Sequence, residues 1–85
     1  MLFELIEIPE IVWKPTKFLE AFKLNHGWSN TGWVKNEPRF RIFFSNSENE
    51  VKLEDLKTNK ICTIESGTLS SAENLAKCWL KENFL

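Results

Sequence analysis

Residues 39–65, "RFRIFFSNSENEVKLEDLKTNKICTIE", decide the fold of this chain. Phe40, Ile42 and Phe44 alternate with Arg39, Arg41 and Phe43. A period of two places successive side chains on opposite faces of a strand. After the turn formers "SNSEN", Val51 and Leu53 alternate with Lys52 and Glu54, which predicts a second, half-exposed strand. "KTNK" is a tight turn, and "KICTIES" reads as a third strand. Together these segments predict a three-stranded antiparallel meander.

The segments on either side supply helices. In "GTLSSAENLAKCWLKENFL", residues 67–85, Ala72, Leu75, Ala76, Trp79 and Leu80 form an apolar stripe at helical spacing. Ser70 or Ser71 is the expected cap, with Glu73 completing a capping box after Ser70. Lys77 and Lys81 complement the dipole toward the C-terminal end. Upstream, residues 2–13 read as extended, with Pro9 suited to an edge or a bulge. A short helix is expected over 16–24, capped by Thr16, striped by Phe18, Leu19, Ala21 and Phe22, and stopped by Gly27. Residues 25–38 read as loop, because Asn25, Gly27, Ser29, Asn30 and Gly32 are turn formers. The expected fold class is α+β in a single domain over residues 1–85. A small antiparallel sheet, a meander of about three strands plus an N-terminal strand, is packed by an amphipathic C-terminal helix and a short N-terminal helix.

Size and composition bound the rest. A chain of 85 residues buries roughly 60–65% of its unfolded surface, so its core is small. An apolar share of 42% and a charged share of 27% suit a globular protein. The net charge of −1 sets up no global attraction for nucleic acid or an acidic membrane. Charge is uneven, however. Glu4, Glu7 and Glu10 make the start acidic, whereas Lys14, Lys17, Lys23, Lys35, Arg39 and Arg41 face only Glu20 and Glu37 over residues 14–41. No run of about 18 apolar residues would span a membrane, and "MLFELIEIPE" lacks the basic start of a signal peptide. Cytoplasmic residence is the expectation.

From residue 36 onward the chain resembles a family of small bacterial domains of unestablished function. That family carries a Pro-Pro-His-Phe-His-Val strand motif, a two-stranded hairpin, and a Gly-x-Leu leading into a terminal helix with a Trp near its end. "NEPRFRI" matches through Pro38, Phe40 and Ile42, the hairpin through Val51, Leu53, Gly67 and Leu69, and the helix through Trp79 and Leu85. Both motif histidines are replaced, by Arg39 and Arg41, and the first Pro by Glu37. The spacing from Gly67 to Trp79 is one residue short of the family pattern. The resemblance implies the order strand, hairpin, helix. Genes of this family often lie beside toxin–antitoxin-like partners, which implies a protein partner. Chemistry that depends on the histidines does not carry over.

No catalytic constellation is visible. The only His is His26, the only Asp is Asp55, and Cys62 and Cys78 fall in a predicted strand and helix. No acid, base and nucleophile assemble in a motif, no metal-ligand spacing exists, and the three glycines form no phosphate loop. The expectation is a non-enzymatic protein without cofactor or metal. It is read as a protein-binding module, such as an antitoxin, an immunity protein or a phage-type inhibitor acting by surface occlusion. Trp28, Trp33, Arg39, Arg41 and Lys35 are its candidate partner-binding residues, since Trp and Arg dominate interface hot spots. If Trp28 and Trp33 fold over the sheet instead, they are core. The alternative is single-stranded nucleic-acid binding, with Arg39, Arg41 and Phe43 as a basic–aromatic strand face. A homodimer is a further expectation, sealed by Phe84 and Leu85 or by Ile6, Ile8 and Ile11.

Overall fold

The computed structural model describes residues 8–84, with the side chains of residues 83 and 84 left aside. The proposals for Ile6, Leu85 and the Phe84 side chain lie outside the described residues, as do Glu4 and Glu7. The elements are β1 (Val12–Pro15), α1 (Phe18–Lys23), β2 (His26–Val34), β3 (Glu37–Ser45), β4 (Glu50–Asp55), β5 (Lys60–Thr63) and α2 (Leu69–Phe84). Five antiparallel strands lie in the order β1-β2-β3-β4-β5, so each pairs with its neighbour in sequence. The α+β class and both helices are as expected, and the 39–65 meander is β3, β4 and β5.

The segment 25–38 is not a loop. It holds β2, a central strand of nine residues between β1 and β3, and the turn into β3. Its turn formers are small because both faces of a central strand are crowded. A Cβ on Gly32 would lie 2.8 Å from the Trp13 ring and 2.9 Å from the Ile11 side chain. Ser29 and Thr31 sit buried beneath the approach to α1, where the Thr16 hydroxyl meets Ser29 Oγ at 2.7 Å and Thr31 Oγ1 at 2.9 Å. Gly27 falls in the register shift between the His26–Ser45 and Ser29–Phe43 pairs, where an extra residue is accommodated.

Local chemistry fixes each reversal. Lys35 and Asn36 both take positive φ, at 51° and 65°, between the paired residues Val34 and Glu37, which is a two-residue type I′ turn. The next two hairpins share one device. Ser45 accepts the Asn49 N–H at its carbonyl (2.7 Å) and the Glu48 N–H at its hydroxyl (3.3 Å). Asp55 accepts the Asn59 N–H at its carbonyl (2.7 Å) and the Lys57 N–H at its carboxylate (2.9 Å). Asn49 and Asn59 close these loops in the left-handed region that Asn tolerates best after Gly. The cap of α2 is Thr68 rather than Ser70 or Ser71. Its Oγ1 accepts the Ser71 N–H at 3.3 Å, and its carbonyl accepts the Ala72 N–H at 3.2 Å.

The core lies between α2 and one face of the sheet. Phe40, Ile42, Leu53, Ala72, Ala76 and Leu80 are fully buried there. Ala72 and Ala76 let the helix backbone approach, and Trp79 tilts against Phe40 with ring centroids 6.4 Å apart. Leu75, expected in the stripe, lies at its flank and is exposed. Burying each large apolar side chain contributes roughly 1.5–3 kcal/mol.

Candidate functional site

The face of the sheet away from α2 carries Arg41 and Trp33 of the functional candidates. Cross-strand pairing sets Lys14, Thr31, Arg41 and Glu54 in one row and Ser29, Phe43 and Lys52 in the next. Over this face lies α1. Ala21 is its one buried residue, and Glu20 reaches Arg41 at 2.7 Å. The stripe of Phe18, Leu19 and Phe22 turns outward. These side chains are 79%, 69% and 71% exposed, with Leu24 following at the helix end, also exposed. The Phe18 and Phe22 rings stack on each other, centroids 6.2 Å apart, as a ridge in solvent. Helical spacing read correctly as a helix here, but the stripe is its outer face. Thr16 does not cap α1, because its hydroxyl is taken by Ser29 and Thr31.

Four of the five candidate residues gather at one end of the sheet. Trp33 and Arg41 line a cleft of about 410 Å³ with Lys14, Lys17 and Glu20. Arg39 and Lys35 line a depression beside it, and Pro38 and Leu56 border both. Trp28 stands apart. It lies at the other end of β2, on the opposite face, beside Phe44, Val51 and Ile64 of the α2 side. The alternatives for the tryptophans therefore split: Trp33 is half-buried with the Lys14 ammonium 5.7 Å from its ring, and Trp28 is 40% exposed.

Both arginines are occupied. Arg39 donates from Nε to Asp55 Oδ1 (3.2 Å) and from Nη2 to Oδ2 (3.4 Å). Arg41 donates to Glu20 and, at 3.4 Å, to Glu54, while its Nε is buried without a hydrogen-bond partner. Phe43 is buried under the His26 ring, which stacks on it at 3.6 Å. The basic–aromatic face of the nucleic-acid alternative thus presents neither an open ring nor an unpaired guanidinium. Lys52 is held by Glu48 and Glu50, which keep its ammonium above the ordinary lysine pKa.

His26, on this face, has a depressed pKa. Burial lowers it first and the Arg41 cation lowers it further, against a smaller opposing pull from Glu20. Its Nδ1 is buried with no hydrogen-bond partner. A lowered histidine pKa means the unfolded chain binds the proton more readily, so stability is present above the unfolded value near 6.5 and is lost as pH falls through the folded value. Denaturant unfolding at pH 7.5 and pH 5 checks this. The wild type is expected to lose stability on acidification by more than His26→Phe, which keeps a ring on Phe43. Equal losses would assign the acid sensitivity to other groups.

Cys62 is half-buried, and burial raises its thiol pKa, so it is not an activated thiolate. Among the described residues, no three His, Cys, Asp or Glu side chains converge as a metal site would need. No helix among them is long and apolar enough to cross a membrane. The residues that sequence reading missed are Phe18, Leu19 and Phe22. Nothing local in the sequence signals their exposure, because Arg41 and Thr31, which Lys17 and Glu20 face across the cleft, are distant in sequence. The chain matches no protein-family model, no curated protein and no solved structure.

Proposed function

We propose that this protein is a non-catalytic binding module that docks onto another protein through α1, in the manner of an antitoxin, an immunity protein or an inhibitor that occludes its target. One observation carries the reading: Phe18, Leu19 and Phe22 stand in solvent on a helix tied to the sheet. Exposing such side chains together costs solubility, and contiguous apolar surface of this kind marks interaction sites. The ridge is also pre-organised. The Glu20–Arg41 pair and the Thr16 hydroxyl network hold α1 in place, so little ordering entropy remains to be lost on docking. The cations Lys14 and Lys17 and the ring of Trp33 lie in the adjoining cleft, which extends the contact surface toward the residues singled out by sequence.

The test is chemical cross-linking in cells that express the protein, comparing wild type with Phe18→Ser/Phe22→Ser. The double variant should melt within about 2 °C of wild type, because substitutions at exposed positions change stability by less than about 0.5 kcal/mol. It should also lose a protein–protein cross-link that the wild type makes. An unchanged cross-link pattern would end this reading.

A further inference from the structure

The cleft of about 410 Å³ beside α1 holds charge that the molecule itself does not balance. Pro15, Trp33, Pro38 and Leu56 give it apolar walls, and Lys14 and Lys17 line it with them. Resting on the docking role of α1, we infer that the partner is an acidic protein: one of its carboxylate side chains seats in this cleft against Lys14 and Lys17, while its apolar residues meet the Phe18–Phe22 ridge.

Three observations support this occupant. The first is uncompensated charge. Glu20, the carboxylate that lines the cleft, is bound to Arg41, which Glu54 also meets. Lys14 and Lys17 are exposed and form no ion pair among the described residues. Like charges left in a cleft with apolar walls raise its potential, because low-dielectric walls focus the field. The chain as a whole carries −1, so the attraction for an anion belongs to this cleft and not to the molecule at large. The second is the aromatic wall. The Lys14 ammonium stands 5.7 Å from the centroid of the half-buried Trp33 ring, which holds the cation at the cleft. A carboxylate arriving there meets a positioned cation, and the methylenes that carry it pack on the apolar walls. The third is continuity. Phe18 follows Lys17 directly, and Glu20 lines the cleft from the same helix whose Phe18, Leu19 and Phe22 turn outward, so a face that reaches the ridge also reaches the cleft. A nucleic acid fits less well. Arg39 and Arg41 are ion-paired, Lys14 lies over the Trp33 ring, and a phosphate backbone gains nothing from an apolar ridge.

A carbodiimide tests the proposal, because it joins an amine to a carboxylate only where the two touch, as an amide without a spacer. It is applied to a fresh extract of cells that express the protein, with and without nuclease. The wild type is expected to form an amide from Lys14 or Lys17 to an Asp or Glu of the partner, located by mass spectrometry of the linked peptides. Lys14→Arg/Lys17→Arg keeps both charges but offers no amine. It should lose that amide yet keep the partner on formaldehyde cross-linking. Lys14→Glu/Lys17→Glu should lower the yield of both cross-links by about tenfold or more, since like charges then face each other. Both positions are exposed, and a thermal melt of each variant confirms that it remains folded. A partner that depends on Phe18 and Phe22 but is indifferent to Lys14→Glu/Lys17→Glu overturns the inference and leaves the docking role of α1 standing. So does a partner whose amides form only elsewhere on the chain. A cross-link that nuclease removes assigns the cleft to nucleic acid and overturns the inference as well. With no cross-link that depends on Phe18 and Phe22, the docking role falls and the inference falls with it.

Discussion

Phe40→Ala is expected to remove about 3–5 kcal/mol, a third or more of the stability of the chain, while leaving it folded in the absence of denaturant. Phe40 is fully buried at the centre of the α2 interface, paired with Gly32 on one side and Asp55 on the other, and packed against Trp79. Truncating a buried Phe costs about 3–5 kcal/mol, the transfer term plus the cavity it leaves. A domain of this length has a total stability on the order of 5–10 kcal/mol. The neighbours cannot close the hole easily. Gly32 offers no side chain to move in, and Ala72 and Ala76 already bring α2 close. Phe40→Leu should cost about half as much, since most of the volume remains. Urea unfolding followed by Trp fluorescence checks both. An alanine variant within about 1 kcal/mol of wild type would mean that α2 does not depend on this contact.

Asp55→Ala should cost a similar amount for a different reason. Asp55 is fully buried, accepts two bonds from Arg39, and caps the β4–β5 turn through the Lys57 and Thr58 N–H groups. Removing one partner of a buried ion pair costs about 3–5 kcal/mol, because the other charge is left desolvated and unpaired. Arg39 keeps some exposure, so the lower end of that range applies. Asp55→Asn keeps an acceptor for the turn and should lose less. The pH dependence separates charge from turn. Burial pushes the Asp55 carboxyl up, but the Arg39 guanidinium and the turn N–H groups outweigh it, and the group sits below its ordinary value. A depressed folded pKa gives stability that is present above the unfolded value near 3.9 and is lost as pH falls through the folded value. The gap between wild type and Asp55→Asn should therefore narrow in acid, as urea unfolding at pH 6 and pH 3 would show. A gap independent of pH would assign the loss to the turn alone.

Much of this architecture was readable from residues whose patterns have one cause. Phe40, Ile42, Val51 and Leu53 alternate because one sheet face is buried, and Ala72, Ala76 and Leu80 repeat at helical spacing because one helix face is buried. The strand β2 was not readable, because two pressures meet in it. Lying between β1 and β3, with Trp13 over Gly32 and α1 approaching Ser29 and Thr31, it needs small polar residues that elsewhere signal turns. Its misreading also hid the site geometry. Trp28 and Trp33 are an odd number of residues apart, so on a strand they face opposite ways, a separation that a loop does not impose. Periodicity also marked α1 as a helix without giving its orientation. The partners that draw Glu20 toward the sheet, above all Arg41, are distant in sequence.

The neighbour-to-neighbour order of the strands bears on how the chain reaches its fold. Among the described residues, no strand waits for a partner from the far end of the sequence, since each of the five pairs with the one before or after it. Two of the connections are four-residue loops and one is a two-residue turn, so closing them loses little chain entropy. Local pairing of this kind speeds folding, and β-rich domains are slow mainly where their contacts are distant. The hairpins β2–β3, β3–β4 and β4–β5 each close locally, and the C-terminal helix packs over β3 and β4. A small chain with a thin core thus spends little time with open strand edges, the state in which aggregation begins.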